Sequence, residues 1–158
     1  MSGLEALEPW LSGIMAEIEP RRRLQLARRV GQIMRKANAA RVLANVEPDG
    51  SAMAARNPKA APPAKAKRGR PKSGGRMFRR IELARNMVVQ PSADNVSVSF
   101  KPRVARTAKV HHFGLEDVVD RRIRNSISVR YKARRLLGFG PGDRDLLLAE
   151  IMAWLDGR

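Results

Sequence analysis

From Leu4 onward, apolar residues return at intervals of three and four: Leu7, Leu11, Ile14, Met15 and Ile18. That spacing lines one face of an amphipathic helix. Ser2 can cap it, and the acidic side chains of its first turns suit the positive end of the helix dipole. Pro9 and Gly13 argue for a kink or a late start. A second helix is expected from about Glu19 and Pro20 to Val46, because proline is welcome in a first turn. Leu26, Val30, Ile33, Met34 and Ala37 form its apolar stripe. At ~1.5 Å rise per residue, about 25 residues would span roughly 40 Å. Pro48-Asp49-Gly50 is a turn signal that ends it.

Periodicity then disappears. Residues 51–75 are rich in Ala, Pro, Lys, Arg and Gly, and read as a long flexible basic arm or loop that a partner would have to hold. Order resumes at Met77, where Phe78, Ile81, Leu83, Ala84, Met87 and Val88 fit a short helix running into an extended segment. Pro91 to Asn95 is a turn, and Val96, Val98 and Phe100 alternate with polar residues as a half-buried strand does. A helix over Arg103 to Phe113 would bury Val104, Ala108 and Val110, with Gly114 as its stop. Leu115 to Ser126 reads as a charged loop, and Ile127, Val129 and Tyr131 as a second strand. After a turn at Gly138 to Gly142, Asp143 caps a last helix whose Leu146, Leu147, Ile151, Trp154 and Leu155 give one more apolar face.

The expected fold class is therefore α+β: a small antiparallel sheet packed with a long N-terminal helix and a C-terminal helix, plus a long basic loop. Residues 1–50 form the N-terminal helical region, 51–75 the arm and 76–158 the α+β core region, within a single domain.

Charge shifts attention to partners. The chain has 158 residues, net charge +17 and only 4% aromatics, so its core is modest and built from aliphatic side chains. Nucleic acid, an acidic protein surface or an acidic ring of neighbouring subunits would each attract such a charge. No apolar run is long enough to span a membrane, and the acidic N-terminus is unlike a signal peptide. The lack of cysteine removes disulfides and thiolate chemistry, and suits assembly in a reducing cytoplasm.

The sharpest short motif is Lys67 to Lys72, KRGRPK, which contains the Arg-Gly-Arg-Pro core of an AT-hook. Its glycine lets the backbone lie deep in a minor groove while the arginines enter the narrow negative channel. Lys65, Lys67, Arg68, Arg70, Lys72 and Arg76 are the candidate contacts to nucleic acid or to an acidic partner. A solvated or protein-bound arm explains the same residues. His111 and His112 are the only histidines; neighbours on a helix point ~100° apart and cannot share a metal in the usual way. One packed and one exposed histidine is the expectation. No phosphate loop, zinc-protease motif or nucleophile elbow occurs, so neither catalytic nor metal residues nor a cofactor are expected.

Three segments, read in order, resemble the phage virion morphogenesis family, which includes tail completion proteins of temperate contractile-tailed phages. They are Leu7 to Ser51, closing on Glu-Pro-Asp-Gly; Arg76 to Arg85, RMFRRIELAR; and Val98 to Val119 followed by VRYKARRLLGF, Val129 to Phe139. Lys132 stands where the family usually has proline. The resemblance implies a non-enzymatic α+β subunit packing beside copies of itself, in a six-fold ring on the head-proximal end of the tail tube. Such a ring stops tube and sheath growth and offers a surface to head-side connector proteins, with DNA passing through its lumen. Arg103, Arg106, His112, Arg130, Tyr131, Arg134 and Arg135 are then expected at or near subunit contacts. The collar of a phage-tail-like bacteriocin fits the same pattern. A DNA-binding protein using the arm is the rival reading, and a toxin or nuclease-like enzyme lacks an acid/base constellation.

Overall fold

The structure is a computed structural model that describes residues 12–13, 18–55, 78, 80–119 and 122–157. Of the helix expected from Leu4, only the helical pair Ser12 and Gly13 and the buried Ile18 fall within the described residues. The arm's candidate contacts, Lys65, Lys67, Arg68, Arg70, Lys72 and Arg76, lie outside them.

Helix α1, Pro20–Ala44, begins with proline in its first turn, where no amide donor is needed. It ends on Asn45 in the left-handed conformation, and the next amide, that of Val46, reaches back to the Arg41 carbonyl. Leu26, Gly31, Met34, Asn38 and Val42 are buried along it, while Val30, Ile33 and Ala37 of the expected stripe are half-buried. The Pro48-Asp49-Gly50 turn reverses the chain, with the Asp49 carboxylate accepting from the Ser51 amide and hydroxyl. A bridge between Val46 and Ala52 follows and brings Met53 into the core.

Strands β1 (Met87–Pro91) and β2 (Val96–Phe100) form an antiparallel hairpin, with Met87 opposite Phe100 and Pro91 opposite Val96. The Ser92 hydroxyl accepts from the Asn95 amide to close its turn. This hairpin lies on α1 at Gly31, where a Cβ would come 2.2 Å from Val89 Cγ1 and 2.7 Å from Val96 Cγ2. Glycine there sets how closely helix and sheet approach.

Helix α2, Pro102–Phe113, buries Ala108 and Val110 and stops at Gly114, whose φ is 65°. Strands β3 (Glu116–Val118) and β4 (Ser128–Arg130) make a second antiparallel pair. Helix α3, Asp143–Asp156, runs back along α1. Val42, Met53, Phe78, Ile81, Met87, Ala108 and Leu136 form the central core cluster.

The α+β class and the long N-terminal and C-terminal helices are as expected; four details differ. No helix forms over the described part of 77–88, because Arg80 takes a left-handed φ of 78° and the chain winds through turns to β1. The buried Asn86 amide group fixes that winding by donating to the Arg80 carbonyl. The expected loop from Leu115 to Ser126 contains β3, which supplies the partner for β4, and the sheet is thereby split into two pairs. Ile127, read as the start of the second strand, lies just outside β4 and is 69% exposed. On α3, finally, the apolar residues do not make one buried face: Leu146 is 58% exposed and only Asp143 is buried.

Candidate assembly surface and its internal strap

Residues 131–140, which carry most of the Arg-Tyr-x-Ala-Arg-x-Leu-Leu-Gly element, run as an irregular strap from β4 toward α3. Its start lies over the end of α2: the Tyr131 amide donates to the Leu115 carbonyl and the Arg134 amide to the His111 carbonyl. Gly114 makes room for this crossing, since a Cβ there would sit 2.8 Å from the Ala133 nitrogen.

Arg134 is 4% exposed. Its guanidinium donates to the carbonyls of Ala54 (2.6 Å), Ala55 (2.9 Å) and Lys132 (3.1 Å), and Nη1 lies 3.3 Å from His111 Nδ1. A planar fork with five donors is suited to gathering several carbonyls at once. The His111 ring packs edge-on between Phe78, 5.0 Å away, and Tyr131, 4.8 Å away.

His112 Nδ1 accepts the Leu136 amide, 3.2 Å away. Neither histidine is fully exposed, which corrects the expected division into one packed and one exposed ring. Burial of the His112 imidazole pushes its pKa below the usual value, Arg135 adds to that, and Glu47 opposes it. A histidine held neutral in the fold leaves stability intact above the unfolded-state pKa, near 6.5. Below it the unfolded chain binds the proton more readily, so stability falls with pH. Melting temperature should therefore drop between pH 7 and pH 5, and the drop should be smaller in His112→Gln. Equal drops in both proteins would remove His112 as the cause.

The far end of the strap is tied to α1. The Gly138 amide donates to Asn38 Oδ1, and the Gly138 carbonyl accepts from Arg41. Arg41 also meets the Asp143 carboxylate at 2.7 Å, with side chains 16% and 6% exposed. That same carboxylate oxygen accepts the Gly140 amide at 2.7 Å. Asp143 is thus the first residue of α3 rather than its cap, a role that falls to Gly142. Its carboxylate turns back to the strap and to α1. Neither Asn38 nor Asp143 advertises this in sequence: one is a polar residue inside a helix, the other looks like a cap.

The strap also sorts the expected contact residues. Arg134 is enclosed, and His112 and Tyr131 are half-buried. Arg103, Arg106, Arg130 and Arg135 are exposed. Arg103 donates to Asn86 Oδ1 at 2.9 Å, and Arg106 pairs with Asp117 at 3.1 Å. A small recess between α2 and the β3–β4 hairpin is lined by Thr107, His111, Asp117 and Tyr131. Among the described residues, no group of three or more acidic or histidine side chains is placed to hold a metal. None of the described helices is long and apolar enough to cross a membrane.

Residues 3–156 match the model of the phage virion morphogenesis family. The chain belongs to that family. It is 27% identical over 157 residues to tail completion protein S of Escherichia phage P2, an alignment covering 99% of each chain. No solved structure matches it. Within this member of the phage virion morphogenesis family, the strap is the element that joins α1, α2 and α3.

Proposed function

We propose that this protein is a structural, non-enzymatic tail completion subunit of a phage tail. In this reading it terminates the tail at its head-proximal end as a ring of six copies, matched to a six-fold tube. The observation carrying the reading is the family match from residue 3 to 156, joined to end-to-end similarity with a protein named for tail completion. The surface supports it. Phe113, Ile127 and Phe139 are 63%, 69% and 71% exposed, and covering them against neighbouring copies would stabilise such a ring.

The ring would meet tail tube and sheath proteins on one side and head-side connector proteins on the other. Its cationic surface would face DNA passing through the lumen, and the virion neck would be its location. The collar of a phage-tail-like bacteriocin would use the same contacts except those to a head.

The test is to silence the gene in a producing lysogen and image the particles. Heads and tails should accumulate unjoined, and density for this fold should cap the head-proximal end of complete tails. Normal joined particles without the subunit, or density at the opposite end, would overturn the reading.

A further inference from the structure

Helix α3 meets α1 through Asp143, Glu150 and Trp154, which contact Arg41, Arg29 and Arg22 respectively. At ~100° per residue, Asp145, Leu146, Ala149, Met152, Ala153 and Asp156 fall together in a sector about 120° wide that turns away from that contact. All six are exposed. Leu146 and Met152, at 58% and 45%, are apolar side chains open to solvent. Ala149 and Ala153 are small enough to admit a close neighbour. Asp145 and Asp156 frame the patch, about 16 Å apart along the axis. They form no ion pair with any described residue.

The opposite character occurs on the β3–β4 hairpin. Its connection carries Arg122, Ile123, Arg124 and Ile127, all exposed, with the two isoleucines at 57% and 69%. Among the described residues the strands pack mainly on each other, and the hairpin has no extensive contact with α3. One surface is therefore apolar with an acidic frame, the other apolar with cations, and they belong to separate elements of one chain.

We propose that the outward face of α3 on one copy receives the tip of the β3–β4 hairpin of a second copy. A chain with 32 basic and 15 acidic residues repels its own copies unless an acidic surface is presented, and this α3 face is one. Apolar contact supplies adhesion, while the aspartates and arginines favour this pairing over docking of either patch on its own kind. Because the two patches differ, each copy can engage a neighbour on either side. Head-to-tail contacts of this kind close into rings when the rotation allows. The inference rests on the ring reading above and names its interface.

Charge reversal in the full chain tests it, with self-association followed by native mass spectrometry and on purified tail tubes. Asp145→Lys with Asp156→Lys, and separately Arg122→Glu with Arg124→Glu, should each weaken self-association at least about tenfold. Circular dichroism should match the unmodified chain. Mixing the two reversed proteins, or combining all four changes in one chain, should restore assembly. If the unmodified chain forms rings but either reversal leaves them intact, or neither mixing nor combination restores them, this interface is wrong while the ring stands. If the unmodified chain stays monomeric even on tail tubes, the ring reading falls and takes the interface with it.

Discussion

Replacing Asp143 with alanine is expected to cost about 3 kcal/mol or more of folding stability, in the range for breaking a buried ion pair. The loss has two parts. Arg41 keeps its charge at a site where its side chain is only 16% exposed, with its nearest counter-ion gone. The Gly140 amide loses the carboxylate that closes the turn into α3. Asp143→Asn separates the two, since an amide oxygen can still accept from Gly140 but offers no negative charge. It should therefore fall between alanine and the unmodified chain. Replacing both Arg41 and Asp143 with apolar residues should cost less than the sum of the single changes, because no stranded charge remains. Urea melts would measure all of these, and a loss below 1 kcal/mol for Asp143→Ala would show that the pair does not hold α3. The remaining α1–α3 ties are weaker. Arg29–Glu150 is a partly exposed pair at 3.3 Å, and Arg22 lies 5.6 Å from the Trp154 ring.

Arg134→Ala should be similarly damaging, at about 2–4 kcal/mol, for the different reason that several carbonyls lose their donor together. Ala54, Ala55 and Lys132 all lean on one guanidinium, and His111 Nδ1 loses the guanidinium beside it as well. Arg134→Lys should recover less than half of the loss, because a single ammonium cannot reproduce the fork. Limited proteolysis adds a local readout: cleavage beside residues 54–55 should accelerate in Arg134→Ala well before the chain unfolds. Unchanged cleavage and a melting midpoint within experimental error would remove Arg134 from this role.

What sequence reveals of this fold follows the range of the forces involved. Pro20, Gly114 and the alternation from Val96 to Phe100 act locally, and α1, the end of α2 and β2 lie where those signals put them. The turn at Pro48 to Gly50 belongs to the same class. Arg80 and Asn86 illustrate the opposite case. The apolar spacing around them suits a helix, but a left-handed residue and a buried side-chain amide overrule it. β3 was hidden because three residues of Glu-Asp-Val carry no strand pattern and owe their pairing to β4. The candidate contact residues divide in the same way. Motif order singles out Arg134 and Arg135 equally, whereas only the path of the strap encloses the first and exposes the second. Likewise, the acidic frame on α3 becomes visible only once Asp143 and Glu150 are spent on α1.

The grip of Arg134 bears on how freely this chain can vary. It holds the Ala55 carbonyl and touches His111, whose ring also packs on Phe78, so both ends of residues 56–77 are fastened at one place. For a segment closed in this way, doubling its length adds only ~0.6 kcal/mol of closure entropy. The fasteners themselves, Ala55 and Phe78, depend on Arg134 and His111 and not on what lies between them. The fold thus carries a position where new binding chemistry can be tried by lengthening or rewriting one stretch of chain, with the subunit around it unchanged.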